Sequence, residues 1–186
     1  MRLYLGGPVK QTSPRRETPT VDWRQTFGYA LVNMANKGEL DPADDLLDET
    51  FAEVRYGETD QMGYAHHASA VLWLELGRVH WLRKFGLAYR DLEADGVLLP
   101  VVEMNLRYHT PGRFEDQLAI QTRLTNLGKS RVMFETKILR VEPDGQRTLL
   151  ITGTVELACV GREGRVRRVP PAFDAIWEKS RRGKRG

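Results

Sequence analysis

The sequence predicts an α+β fold in which an antiparallel β-sheet carries one long helix on its concave face. A strand pattern over 50–56 precedes a long helical pattern over 68–85, and four further strand patterns follow between residues 98 and 160. The later strands are joined by short connections rich in Gly, Pro and Asp, which are typical of tight antiparallel turns. A length of 186 residues with 41% hydrophobic content is enough for one core.

The first strand and the helix are predicted from their periodicity. Residues Thr50–Tyr56 alternate between two sides in the two-residue rhythm of a strand. Over 68–85, apolar residues recur at helical spacing, and we expect this stripe to be buried: Ala68, Leu72, Leu76, Val79 and Leu82. Trp73 and Trp81 lie off the stripe yet are large and apolar, so we expect the helix to contact other surfaces as well, including a second subunit. Gly86 follows as the helix C-cap.

Four strands in succession complete the predicted sheet, at 98–109, 116–126, 131–142 and 148–160. The segment Thr110-Pro111-Gly112 ends the first of them. The turn Gly128-Lys129-Ser130 separates the second from the third, and Pro143-Asp144-Gly145 predicts a hairpin into the fourth.

The two ends of the chain differ from this central part. Residues 1–20 have almost no apolar periodicity and predict a disordered leader, whereas 23–36 can form a short helix. We therefore divide the chain into an N-terminal extension at 1–49, one domain at 50–173 and a basic, solvated tail at 174–186. Met34 is an alternative start of the protein.

The composition argues against several classes of function. The net charge of +3 is carried by the basic tail, so the chain offers no broad basic face to nucleic acid. No apolar run approaches the roughly 20 residues of a membrane-spanning helix, and no signal peptide is recognisable, so we expect no membrane span and a cytoplasmic location. The single Cys159 excludes an intrachain disulfide and is predicted to be a small buried residue.

The segment 56–67 holds residues suited to acyl transfer, at the junction of the first strand and the helix. The first turn of a helix offers unpaired N–H groups and a positive dipole end, which suit a developing oxyanion. Asp60 can act there as a nucleophile or as a general base on water, and Gly63 lets a substrate approach the backbone closely. Asp60 can equally serve as a turn or capping residue. His66 and His67 lack metal-ligand spacing, so no metal site is predicted.

The pattern Tyr56-x-x-Thr59-Asp60-x-x-Gly63-x-x-x-His67-Ala68 resembles the signature of the hotdog-fold acyl-CoA thioesterases related to 4-hydroxybenzoyl-CoA thioesterase and YbgC. The similarity continues on the helix and in the later strands, and it covers about 50–173. It implies the hotdog fold, an antiparallel β-sheet wrapped around one long central α-helix. Where this family usually has a Glu-Asp pair, the chain has Gly57 and Glu58.

The resemblance implies roles for individual residues. Asp60 is the implied catalytic carboxylate, with Tyr56 and His67 as its catalytic neighbours, and the backbone N–H of His67 would polarise the thioester carbonyl. Substrate-binding roles are implied for Gly63, Glu75, Lys129, Ser130 and Arg131, the last three near the nucleotide of coenzyme A. Glu75 is also a second candidate for the reacting carboxylate, and its alternative role is an ion pair with Arg78.

The implied reaction is hydrolysis of an acyl-CoA thioester to a carboxylic acid and free coenzyme A. Coenzyme A is then part of the substrate, and no metal or redox cofactor is required. The family implies a homodimer or homotetramer. A non-catalytic binding module for acyl-CoA or acyl-carrier protein is the alternative, and Asp60 argues against it. A hotdog dehydratase is disfavoured because no Asp-x-Asn-Pro-x-His segment occurs. The arginines at 162–168 are either a second phosphate-binding cluster or a solvated hairpin tip.

Overall fold

A computed structural model describes Leu40 and residues 44–183, with side chains described as far as Ser180. The predicted leader at 1–20 and the short helix at 23–36 lie outside the described residues, as do the last three residues of the predicted tail. In the part that is described, no helix is long and apolar enough to cross a membrane.

The described elements form one antiparallel sheet with helices packed on it. They follow in the order β1 (Leu47–Glu53), a short 3-10 helix (Tyr56–Glu58), α1 (Ser69–Lys84), α2 (Tyr89–Ala94), β2 (Val101–Tyr108), β3 (Gln117–Leu127), β4 (Arg131–Val141), β5 (Arg147–Ala158) and α3 (Pro171–Gly183). The strand order is β1-β3-β4-β5-β2, and every neighbouring pair is antiparallel. The α+β prediction is confirmed, and β1 and β2 are the edges of this sheet.

The core face of α1 differs from the predicted stripe. Trp81 is fully buried and Trp73 is 3% exposed, whereas Leu72 is 53% and Leu76 is 40% exposed. The Trp81 ring packs edge-on against Phe134 at 5.0 Å between centroids, and its indole N–H donates to the Leu46 carbonyl oxygen at 2.6 Å. Both tryptophans therefore pack within this chain, and they do not form the further contact surface that we expect of the helix. Apolar residues surround most of this helix, so spacing alone does not select a face, and burial of the largest rings decides it.

Helices α2 and α3 were not predicted from the sequence pattern. In α3, Phe173 is fully buried, and Ile176 and Trp177 pack against the core. The boundary predicted at residue 173 falls inside this helix, which continues to Gly183 with Asp174, Glu178 and Lys179 exposed to solvent. The carbonyl groups at the end of α2 accept hydrogen bonds from two arginines of the basic cluster: Arg162 donates to Glu93 O at 2.9 Å and Arg167 to Gly96 O at 3.0 Å. Both therefore have a structural task at a helix C-terminus.

The first strand is shorter than predicted at its end. Val54 still exchanges backbone hydrogen bonds with Asp116 and Glu115, but the Glu58 N–H then donates to the Arg55 carbonyl oxygen at 2.9 Å and starts the 3-10 helix. Tyr56 is thus in a turn and not in β1. Cys159 is buried, as predicted, and burial raises the pKa of its thiol.

Helix α1 comes very close to the sheet at Gly77. A Cβ atom at this position would collide with the Thr122 hydroxyl oxygen and lie 2.8 Å from the Ile120 Cγ2. The Thr122 hydroxyl is itself buried and hydrogen-bonded to that of Thr136 at 3.1 Å. The absence of a side chain at Gly77 therefore sets the depth at which the helix lies on the sheet.

We predict that Gly77→Ala lowers the free energy of unfolding by about 1 to 3 kcal/mol, because overpacking outweighs the gain of roughly 1 kcal/mol in helix propensity. Denaturant unfolding measures the difference. Gly57→Ala is the control, since nothing lies within 4 Å of its added Cβ. Equal stability of wild type and Gly77→Ala would contradict this packing.

Candidate active site

The loop between β1 and α1 folds into a tight turn around Asp60. Thr59 and Ala65 form an antiparallel bridge, and the Asp60 N–H donates to the Tyr64 carbonyl oxygen at 2.9 Å. Gly63 donates back to the Asp60 carbonyl oxygen at 3.0 Å and has a φ of 76°. A positive φ is readily adopted by glycine, so Gly63 has a backbone role in shaping this turn.

The Asp60 side chain takes part in the turn and keeps acceptor capacity. One carboxylate oxygen accepts a hydrogen bond from the Met62 N–H at 2.8 Å. The other oxygen accepts none from the residues that the structure describes, and the side chain is only partly buried. The turn role considered for Asp60 is therefore real, and it leaves the second oxygen available to a ligand.

The start of α1 presents one unpaired backbone donor. The His66 N–H donates to the Glu58 carbonyl oxygen at 2.7 Å, and the Ala68 N–H donates to His66 Nδ1 at 3.2 Å. Between them, the His67 N–H donates no hydrogen bond to any part of the chain that the structure describes. It lies at the positive end of a 16-residue helix, where a carbonyl oxygen that gains negative charge would be stabilised.

A cavity of about 230 Å³ lies beside this donor. Its walls come from 65–67 and 108–112, with Trp73, Leu150 and Ile151 as apolar parts of the lining. Asp60 is not in the lining. It lies on the other arm of the turn, which is joined to the cavity wall by the bridge from Thr59 to Ala65. His67 is therefore part of the cavity wall, whereas Asp60 lies on the adjoining arm of the turn and outside the lining.

Tyr108, which the sequence reasoning missed, contacts this donor region from the end of β2. Its hydroxyl donates to the His67 carbonyl oxygen at 2.9 Å, and partial burial raises the pKa of the phenol. The contact spans 41 residues of sequence, so no local pattern could have indicated it. Tyr108 fixes the residue that carries the unpaired N–H.

Glu58 is a second residue that the sequence reasoning left without a role. Its carboxylate accepts hydrogen bonds from the Arg55 N–H at 2.8 Å and from Arg55 Nη2 at 2.7 Å. Burial opposes ionisation of this group, but hydrogen bonds and charge attraction from Arg55 outweigh it, so the pKa of Glu58 lies below its ordinary value. The indole of Trp73, in the cavity wall, acts in the same direction.

Two further predicted residues lie away from the cavity. Tyr56 is 79% exposed, and its ring packs edge-on against Phe114 at 5.6 Å. Glu75 is exposed on α1, and the described residues contain no ion pair between it and Arg78. The Arg78 Nε donates instead to the Tyr89 hydroxyl at 3.0 Å. The alternative role considered for Glu75, an ion pair with Arg78, is thus not what the fold contains.

The turn that holds Lys129, Ser130 and Arg131 is distant from the cavity within one chain. Arg131 pairs with Ala158 in the sheet, whereas Ile151 in the cavity wall pairs with Tyr108. Seven steps along β5, at about 3.3 Å each, separate these positions by roughly 23 Å. Arg131 also forms an ion pair with Glu156 at 2.7 Å. One protomer therefore does not bring the predicted nucleotide-binding residues to the cavity.

The described residues contain no group of three or more His, Cys, Asp or Glu side chains that could hold a metal ion. What the site offers is a carboxylate, an unpaired backbone N–H at a helix start and a cavity lined by both apolar and polar residues. These are parts that acyl transfer can use without a metal.

Comparison with known proteins assigns the chain to a family. The sequence pattern of the thioesterase-like superfamily matches residues 54–177. A protein of Bacillus subtilis (strain 168) with the name "Putative acyl-CoA thioesterase YneP" is 32% identical over 134 residues, which is 70% of this chain and 94% of YneP. The acyl-CoA thioester hydrolase YbgC of Escherichia coli O6:H1 is 34% identical over 107 residues, or 58% of this chain and 77% of YbgC.

Solved structures agree with the fold. The hypothetical protein TT1821 from Thermus thermophilus is 35% identical, with a TM-score of 0.62 over 73% of this chain and 95% of its own. A mutant 4-hydroxybenzoyl CoA thioesterase complexed with 4-hydroxybenzoyl CoA has a TM-score of 0.65 at 17% identity, over 70% of this chain and 98% of its own, and this likeness concerns the fold alone. The hotdog fold is thereby confirmed, and this chain belongs to the thioesterase-like superfamily.

Proposed function

We propose that the protein hydrolyses acyl-CoA thioesters to a carboxylic acid and free coenzyme A. The observation that carries the proposal is the unpaired N–H at the start of α1 on His67, a residue of the cavity wall one short turn away from Asp60. The names of YneP and YbgC give this activity to relatives of the chain.

In the proposed reaction the thioester carbonyl oxygen accepts a hydrogen bond from the His67 N–H, which becomes stronger as negative charge develops on that oxygen. The free oxygen of Asp60 either attacks the carbonyl carbon or removes a proton from an attacking water. Direct attack forms a mixed anhydride and releases the coenzyme A thiolate, and water then cleaves the anhydride. Both routes end with the same acid and thiol. They use no metal or redox cofactor, and coenzyme A enters only as part of the substrate.

The Asp60 turn suits this role because its backbone does not depend on the negative charge. Met62 donates to one carboxylate oxygen, and an amide oxygen at the same position can accept that hydrogen bond as well. The charge on the second oxygen is therefore available for chemistry rather than required for the turn.

We assign the binding of coenzyme A phosphates to the turn of a second copy of the chain that holds Lys129, Ser130 and Arg131. Strand β2 is an edge of the sheet and exposes about half of Val101 and Val102. If β2 pairs antiparallel with β2 of a second copy, the 101 end of one strand lies beside the 108 end of the other. The partner's 129–131 turn then approaches the His67 cavity, where its cations can bind the phosphates of coenzyme A.

The exposed apolar positions of α1 support the same assembly. Val71, Leu72 and Leu76 are between 38% and 53% exposed on the outer side of the helix. A second copy that covers them removes apolar surface from water. The proposed state is a homodimer, alone or as half of a homotetramer. The proposed compartment is the cytoplasm, in keeping with a single, buried, unpaired cysteine.

We predict that Asp60→Asn lowers kcat for thiol release by at least about 10³-fold while the melting temperature stays unchanged, because the turn keeps its acceptor and loses only the reactive carboxylate. Thiol release and thermal unfolding are measured on the same preparation. Asp144→Asn is the matched control, since Asp144 accepts from the Gln146 N–H at 2.9 Å in the same kind of turn in the β4–β5 hairpin. Full turnover by Asp60→Asn would refute the assignment.

A second prediction concerns the shared site. One chain carries Asp60→Asn and a differently tagged chain carries Lys129→Ala with Arg131→Ala, and the mixed oligomer is purified through both tags. We expect it to regain thiol release at low acyl-CoA concentration, because one of its sites combines a wild-type Asp60 with the partner's wild-type turn. Each variant alone should release thiol slowly under these conditions. No recovery in the mixed oligomer would show that the turn does not serve the partner's cavity.

A further inference from the structure

Glu58 is an almost fully buried residue of the loop at 54–68 that joins β1 to α1 and is called the catalytic loop below. Its carboxylate has no part in the proposed chemistry. The residue is 7% exposed, although its partner Arg55 extends into solvent. Burying a carboxylate is costly unless several donors satisfy it, and here two donors from Arg55 do so. The chain therefore maintains a buried charge within two residues of Asp60.

The main chain of Glu58 connects the loop to helix α1. Its carbonyl oxygen accepts a hydrogen bond from the His66 N–H at 2.7 Å and another from the Ser69 hydroxyl at 3.1 Å. Ser69 is the first residue of α1 and is itself buried. One residue thus receives bonds from both sides of His67, the residue whose N–H is unpaired.

These contacts help to set the distance between the Asp60 carboxylate and the His67 N–H. Glu58 lies two residues before Asp60, and its carbonyl holds the residue just before His67. The Glu58 side chain accepts from Arg55 and so holds the 3-10 turn, while the Glu58 carbonyl oxygen accepts from His66 and so holds the start of α1. A shift of Glu58 would therefore change the separation between the Asp60 carboxylate and the His67 N–H.

We propose that Glu58, with Ser69 as its partner, is a positioning residue that holds the Asp60 turn at its working distance from the start of α1. The inference rests on the proposed thioesterase activity and concerns the same site. Neither side chain contacts the reacting atoms. A misplacement of about 1 Å between reacting groups can cost on the order of 10²-fold in rate, so the effect falls on turnover more than on substrate binding.

The test measures kcat and KM for thiol release with Glu58→Ala, Glu58→Gln and Ser69→Ala. We expect Glu58→Ala to lower kcat by about 10- to 100-fold with KM changed by less than about threefold. Glu58→Gln keeps an acceptor for the Arg55 N–H and should recover part of the loss. Ser69→Ala removes the bond to the Glu58 carbonyl and should lower kcat in the same sense. All rates are normalised to folded protein by thermal unfolding.

Glu142→Gln is the matched control. Glu142 also accepts hydrogen bonds from an arginine, Arg140, at 2.8 Å and from the Thr148 hydroxyl at 2.7 Å, and its pKa is likewise lowered, chiefly by the bond from Thr148. Among the described residues, no hydrogen bond or ion pair joins Glu142 to the loop at 54–68, so the kcat of Glu142→Gln should equal that of wild type.

The outcomes separate this inference from the proposed function. Wild-type kcat per folded molecule in Glu58→Gln and Ser69→Ala would overturn the positioning role, even if Glu58→Ala fails to fold. A wild-type protein that releases no thiol from any acyl-CoA would overturn the proposed function instead. Glu58→Gln should also lower the free energy of unfolding at pH values above the ordinary pKa of a glutamate. This difference from wild type should disappear as the pH falls through the lowered pKa of Glu58.

Discussion

The contact between helix α1 and the sheet at Gly77 sets the depth at which the helix lies, and with it the position of the helix start that carries the His67 N–H. With no side chain at this position, the helix rests directly on Thr122 and Ile120 of β3. At that depth the start of the helix reaches the end of β2, where Tyr108 binds the His67 carbonyl. The Asp60 turn is tied to the same end of the sheet, because the Ala65 N–H donates to the Gly112 carbonyl oxygen at 2.8 Å. The carboxylate and the helix start are thus anchored on one frame.

The sequence allows the elements of the sheet and the position of Asp60 to be predicted because both depend on local signals. Alternating residues and Gly- or Pro-containing turns delimit β3, β4 and β5 closely. The turn at Asp60 follows from Asp and Gly at the correct spacing. The buried face of α1 does not follow in this way, since Leu72, Leu76, Trp73 and Trp81 compete at similar spacings. The presence of Phe134 and Leu46 across the core selects Trp81.

The residues that support the site were harder to predict because their contacts are long-range or made by the main chain. Tyr108 meets His67 across 41 residues, and the Ser69 hydroxyl meets the Glu58 carbonyl across 11. A periodic pattern records which side of a strand faces the core, and it does not record which carbonyl a hydroxyl reaches. The nucleotide-binding prediction for Lys129, Ser130 and Arg131 has a related difficulty. Within one chain these residues are at the wrong end of the sheet, and a second copy is needed to give them a place in the site.

In the proposed site, the Asp60 turn and the start of α1 together cleave a thioester rather than only bind one. The most direct measurement is thiol release by the purified protein from a panel of aromatic, short-chain and long-chain acyl-CoAs, with the free acid quantified in parallel. We expect catalytic turnover of at least one class, with one carboxylic acid formed for each thiol released. Saturable binding of an acyl-CoA without any release of thiol would contradict it and would favour a binding module on the same fold.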